Sequence, residues 1–149
     1  CGRCNNFSEA EFCRICSSGK RNGDLLCVVE TPADLDTIEQ TGAYSGLYLV
    51  LMGHISPLDG IGPDQLAVEL LLRNLNEYPV KEVILATNPD FEGDGTALLV
   101  TESLVQSGVQ VTRLARGLPT GGQIEYMNRS ILRDAVEGRS SFETVKEEE

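Results

Sequence analysis

The sequence contains no tryptophan, a single histidine and only 5% aromatic residues. Its core must therefore be aliphatic, which the 41% hydrophobic content can supply. No stretch approaches the run of about 18 apolar residues that crosses a bilayer as a helix. The opening residues, CGRCNNF, lack a basic flank followed by an apolar stretch. No signal peptide is expected on that ground, and the chain reads as cytoplasmic. Basic residues are scarce: 12 Lys+Arg stand against 23 Asp+Glu, a formal net charge of −11. That is opposite in sign to the usual footprint of a nucleic-acid binder. Any contact with DNA must come from local basic patches, a further segment or a basic partner. Part of the acidic excess is a tail, Glu147–Glu149, expected to be disordered. There is no GxxxxGK[ST] loop, so independent ATP hydrolysis is not expected. The chain also lacks an initial methionine: it starts at Cys1, inside a cysteine motif, so a preceding N-terminal segment is expected.

Four of the five cysteines form that motif. Cys1, Cys4, Cys13 and Cys16 are spaced C-x2-C-x8-C-x2-C. Each C-x2-C turn brings two sulfurs to one side of a tight loop, and two such turns supply the tetrahedral set that Zn²⁺ prefers. Four ligands leave no open position, so the ion is expected to be structural, in a small knuckle over residues 1–23. Disulfides are the other chemistry open to paired cysteines, but they suit a secreted chain. Cys27 lies mid-strand between Leu26 and Val28 and reads as a small core residue.

From about Asp24 onward the pattern changes to alternating strands and helices. Leu25–Glu30 reads as a buried strand. Thr31 and Pro32 then open a helix as N-cap and first helical residue, and Gly42 closes it. Leu47–Met52 reads as a second strand. Gly53–Pro63 is punctuated by three Gly and two Pro and is expected to be irregular. Leu66, Leu70, Leu71 and Leu75 predict a helix over Asp64–Asn76. Lys81–Thr87 reads as a strand, Gly95–Gln106 as a helix stopped by Gly108, and Val109–Leu114 as a weak strand. A polar helix is expected around Asn128–Glu137. This order implies an α/β fold with a mostly parallel, Rossmann-like sheet. Ligands on such sheets sit at the carboxyl ends of the strands, which directs attention to Glu30 and to the segment after Thr87.

That segment is acidic. In ATNPDFEGD (Ala86–Asp94), Asn88, Asp90, Glu92 and Asp94 alternate along what reads as a loop ending in Gly93 and Gly95. If the first and third strands are neighbours, Glu30 faces this cluster. Converging carboxylates can hold Mg²⁺ through a few oxygens plus water. Equally, acids at the start of a helix are favoured by its dipole with no ion present.

These residues resemble a known pattern. Glu30 after LLCVV, with ATNPDFEGD later, resembles the Toprim domain of type IA topoisomerases and primases. Glu30 matches its strand-end Glu, Asp90 and Glu92 match acids of its turn, and Gly93 matches its glycine. Asn88 stands where the pattern has its first Asp; a neutral carbonyl is a poorer ligand for a hard dication. Any Mg²⁺ site is therefore expected to be weak, and catalysis absent. A four-cysteine knuckle, then Toprim, then GHISPLDGIGP, ATNPDFEG and TRLARGLPTGG resembles the RecR family of bacterial recombination mediators along all 149 residues.

The resemblance implies three regions: a zinc knuckle at 1–23, a Toprim domain at 24–117, and a C-terminal extension at 118–149. That extension is Walker B-like in the family and helps join subunits. An N-terminal helix-hairpin-helix segment would precede Cys1. The resemblance also implies a non-enzymatic DNA-repair role alongside RecO and RecF, assisting RecA loading at gaps coated with single-strand-binding protein. Family members form rings or clamps that can surround single- or double-stranded DNA, near the nucleoid. Glu30, Asn88, Asp90, Glu92 and Gly93 would then form a face for partner docking, suited to basic RecO. A Toprim-type nuclease or primase-like enzyme is the alternative.

The remaining residues are weaker signals. Arg113 and Arg116 flank the last strand as candidates for a DNA channel or an interface. Lys20 and Arg21 are candidates for phosphate contact. His54 has no motif partner and reads as structural or exposed. Ser56 lacks the G-x-S-x-G context of a nucleophile.

Overall fold

The computed structural model describes residues 1–142. The acidic run Glu147–Glu149 lies outside them. The chain forms two compact units, Cys1–Leu114 and a second that starts at Ala115.

In the first unit, β1 (Asn22–Val29), β2 (Gly46–Val50), β3 (Glu82–Ala86) and β4 (Gln110–Arg113) form one sheet in the order β2-β1-β3-β4. All three pairings are parallel. Parallel neighbours need crossover connections, and α1 (Pro32–Gln40), α2 (Val68–Glu77) and α3 (Phe91–Leu104) supply them. The mixed α/β fold expected from the sequence is the one observed. Its core is aliphatic: Val28, Val29, Leu49, Val50 and Val83 of the strands are fully enclosed, with Leu35 of α1, Leu71 of α2 and Val100 of α3 packed among them. Cys27 is part of this core, and burial pushes its thiol up to about 12.

Local chemistry sets the helix limits. At α1, Thr31 Oγ1 accepts from the Asp34 N–H and Asp34 Oδ2 accepts from the Thr31 N–H, each at 3.2 Å. This reciprocal pair, with Pro32 following, is the N-terminal signature the sequence shows. α2 starts at Val68, four residues later than expected, because Pro63–Gln65 forms a tighter 3₁₀ turn first. α3 starts four residues earlier than expected, at Phe91. Asp90 is its N-cap and accepts from the Gly93 N–H at 2.7 Å. Gly93 lies so close to the Asn88 carbonyl that any Cβ there would collide with it. Glycine at 95 had suggested a loop, but the N-cap outweighs the modest cost of glycine inside a helix.

β2 lies at one edge of the sheet, and the N-terminal segment covers that edge. The Val50 N–H donates to the Cys4 carbonyl at 2.8 Å, and Asn5 Nδ2 donates to the Val50 carbonyl at 3.1 Å. Asn74, buried on α2, donates from Nδ2 to the Arg3 carbonyl at 2.7 Å. The Arg3 guanidinium rests 3.5 Å above the Tyr78 ring. Unpaired edges are templates for unwanted pairing, and here the knuckle occupies one.

In the second unit, α4 (Arg129–Glu137) is capped by Asn128, whose Oδ1 accepts from the Ile131 N–H at 2.9 Å. Ile131, Leu132 and Ala135 share one side of α4 and are half-buried, and no described residue of this unit is fully buried.

Candidate functional site

The two C-x2-C turns are built alike. The Asn5 N–H donates to the Cys1 carbonyl and the Ser17 N–H to the Cys13 carbonyl, both at 3.0 Å. Asn5 takes a left-handed backbone, φ +68, which asparagine tolerates better than most residues. The turns face each other so that the sulfurs of Cys1, Cys4, Cys13 and Cys16 all lie within 4.8 Å of one another. Cys4 Sγ and Cys13 Sγ are 3.7 Å apart. A disulfide would need about 2.05 Å. A zinc ion bound tetrahedrally at about 2.3 Å spaces its sulfurs about 3.8 Å apart. The donor set therefore fits a metal ion and is consistent with a zinc knuckle. A hydrogen bond from Cys16 holds the Cys4 thiol down at about 6 against the opposing effect of burial, while the same contact pushes Cys16 up. Four crowded sulfurs cannot all ionise without a cation among them.

The second cluster sits where the strand order reverses. β1 connects to β2 on one side, and the chain then crosses to β3 on the other, so the crevice opens between the ends of β1 and β3. Glu30 follows β1, and Asn88 follows β3 by two residues. Glu30 is only 2% exposed. Both the backbone N–H and Nδ2 of Asn88 donate to its Oε2, the latter at 2.8 Å. His54 Nδ1 stands 3.1 Å from its other oxygen. The buried carboxylate thus has both oxygens engaged by the protein's own polar groups. Among the described residues, only the four cysteines gather three or more candidate metal ligands within 4.8 Å. The acids here do not.

The rest of the acidic segment is dispersed over the start of α3. Asp90 is exposed apart from its bond to Gly93. Glu92 and Asp94 lie in the first helical turn, not on a loop, since the helix begins at Phe91. Asp94 is ion-paired with Arg113 at the end of β4. Arg116 belongs to the second unit and pairs with Asp134 at 3.3 Å.

Other sequence signals resolve differently. Arg21 is tied internally: it donates to Glu39 at 2.6 and 3.1 Å and to the Gly46 carbonyl at 2.8 Å. Tyr48 donates to the same Glu39 at 2.8 Å. Those donors hold the Glu39 carboxyl below its ordinary range. Two features went unseen in the sequence. His54 follows β2 by four residues, so its place at the same carboxyl end of the sheet as Glu30 was the available clue. Asn74 interrupts the Leu70–Leu71–Leu75 stripe, and a polar residue there signals a buried hydrogen bond.

A parallel α/β sheet with acids at its switch point, preceded by a four-cysteine cluster, defines a Toprim protein with an attached cysteine knuckle. The Toprim domain family matches residues 24–115. Proteins named Recombination protein RecR are similar along nearly the whole chain. The one from Acidithiobacillus ferrooxidans is 52% identical over 139 residues, 93% of this chain and 69% of that protein. The Hydrogenovibrio crunogenus protein is 48% identical over 141 residues, covering 95% and 72%. The Rhodopirellula baltica protein is 50% identical over 139 residues, covering 93% and 70%. The chain belongs to the RecR family.

Proposed function

We propose that the chain is a non-enzymatic recombination mediator in DNA repair. In this reading it is a clamp-forming, DNA-binding subunit that works with RecO and RecF to help load RecA onto single-stranded gaps coated with single-strand-binding protein. The carrying observation is about 50% identity, along more than nine-tenths of the chain, to proteins named for recombination. The strand-end site supports the non-enzymatic part. A catalytic Toprim carboxylate needs a metal ion to stabilise transferring phosphoryl charge, and Glu30 has both oxygens engaged by Asn88 and His54. The test is RecA filament formation on coated, gapped DNA with RecO and RecF. Addition of the chain should shorten the lag; an unchanged lag would overturn the reading.

The functional division we propose is a knuckle at 1–23, a Toprim domain at 24–117 and a subunit-joining region at 118–149. Zinc is the metal, held by Cys1, Cys4, Cys13 and Cys16 as a structural ion. Any Mg²⁺ at the strand ends binds weakly. Asp90 and Glu92 present the acidic face to RecO, while Glu30, Asn88 and Gly93 hold the segment in place from within. Reversing both Asp90 and Glu92 to Lys should weaken RecO binding at low salt, with the loss shrinking as salt screens the charges. Equal affinity at low salt would place docking elsewhere. Direct DNA binding by this chain should be weak, because a net charge of −11 opposes the phosphate attraction that dominates such binding. Arg113 and Arg116 remain the basic candidates for DNA or interface contact, each also held by an acid.

The competing reading is a Toprim phosphotransfer enzyme. Cleavage of nicked or gapped DNA with Mg²⁺ or Mn²⁺, abolished by Glu30→Gln, would establish it.

A further inference from the structure

The glycine-rich segment between β2 and α2 is not a slack loop. The Ser56 N–H donates to the Ile61 carbonyl at 3.0 Å and the Ile61 N–H returns the bond at 2.9 Å. Ser56 Oγ, on a buried residue, donates to Asp59 Oδ2 at 3.0 Å. The Gly60 N–H points back to the Pro57 carbonyl at 3.4 Å, and Gly60 takes φ +70, a conformation that glycine adopts without cost. The base is fastened as well. The Ile55 N–H donates to Thr96 Oγ1 on α3 at 2.9 Å, and the Gly53 N–H donates to the Glu30 carbonyl at 2.9 Å. At the tip of this fixed turn stands Leu58, 96% exposed.

A leucine held almost wholly in water by a fastened turn is poorly explained by folding. Its side chain contributes nothing to the core, and polar residues serve such turn positions better. It is well explained as an anchor: ordering is already complete, so inserting it into an apolar pocket forfeits little conformational freedom. The surroundings specify the partner. Asp59 shares the turn, and the turn is bonded to α3 one helical turn beyond Glu92, so the knob stands beside the acidic face. A basic surface with an apolar pocket complements that combination. DNA does not, and a second copy of this chain would bring like charge against like.

We propose that the Ser56–Ile61 turn is a preformed docking knob that inserts Leu58 into an apolar pocket of a basic protein partner, with Asp59, Asp90 and Glu92 orienting the encounter. This rests on the docking role given above to the acidic face, and RecO is the probe. Four proteins are titrated with RecO at low and high salt: wild type, Leu58→Ala, Gly60→Val, and Asp90→Lys with Glu92→Lys. Leu58→Ala should lose about tenfold or more, the scale of a central anchor, and the loss should persist at high salt because it is apolar. A Cβ at Gly60 meets no neighbouring atom, but at φ +70 Gly60→Val strains the turn, so it should lose affinity with Leu58 still present. The charge reversal should lose affinity mainly at low salt. Leu58→Ala binding as tightly as wild type, beside a weakened charge reversal, would overturn the knob and leave the acidic face standing. Absence of RecO binding by wild type, or no effect of the charge reversal at low salt, would overturn the docking role itself. Unchanged thermal melting of Leu58→Ala confirms that the affinity loss is not unfolding.

Discussion

The knuckle and the strand-end site are both clusters of groups that can carry negative charge, yet their needs are opposite. The four sulfurs converge within 4.8 Å and the stronger donors around them are few: the Cys16 N–H reaches Cys13 Sγ at 3.5 Å. At the strand ends three of the four acids have a donor of their own, and Glu92 stands in the first turn of α3. Glu30 has Asn88 and His54, Asp90 has the Gly93 N–H, and Asp94 has Arg113. Convergence without donors calls for a cation; dispersal with donors does not. A motif of ligand-type residues therefore implies a metal only when the protein leaves their charge unanswered.

Stripping the zinc proposed for the knuckle should give the largest effect. The knuckle holds the edge of β2 through Cys4 and Asn5 and reaches α2 through Arg3, so its loss should reach the sheet as well. A chelator, or Cys13→Ser, should lower the melting temperature by about 10 °C, the scale of several kcal/mol in a chain this size. Calorimetry with and without chelator checks this, alongside elemental analysis for one zinc per chain. An unchanged melt would mean that the cysteines need no ion.

Asn88→Asp should sharpen the comparison from the other side. It replaces a donor with a second carboxylate against buried Glu30, and a lost hydrogen bond to a charged group alone costs about 1.5–3 kcal/mol. The variant should regain stability as Mg²⁺ is added, whereas wild type should not respond. Urea unfolding across a Mg²⁺ series measures both. A wild-type response as large as the variant's would show that the site already holds a dication.

The smallest effect concerns the fifth thiol. Burial raises Cys27 to about 12, above its ordinary 9.0, so its thiolate is scarce at any pH below that value. Alkylation of the native protein at pH 8, followed by mass counting, should find no label with metal bound. After chelation up to four labels should appear, with Cys27 protected until the sheet unfolds. Early labelling of Cys27 would mean that the sheet opens together with the knuckle.

Much of this was readable in advance because it is local. C-x2-C spacing decides where two sulfurs go with little help from the rest of the chain. The Thr31–Asp34 cap, Pro32 and the apolar runs of β1, β2 and β3 act within a few residues, and they specify an α/β order directly. Helix limits were less legible where two local signals compete, as at α3, where the Asp90 cap prevailed over Gly93 and Gly95.

By itself the sequence determined that four thiols would meet, that an aliphatic parallel sheet would follow, and that acids would lie at its strand ends. Only the tertiary structure decided what those acids do. Glu30, His54 and Asn88 come from the ends of three different strands, 58 residues separating the first from the last, and nothing in their spacing says that a carboxamide and an imidazole answer the carboxylate. The same holds for Leu58. Its exposure depends on a turn fastened to α3 by the bond from Ile55 to Thr96, two residues 41 apart in the chain. The physical reason is common to both: hydrogen bonds between distant segments exist only once the core has brought their backbones together.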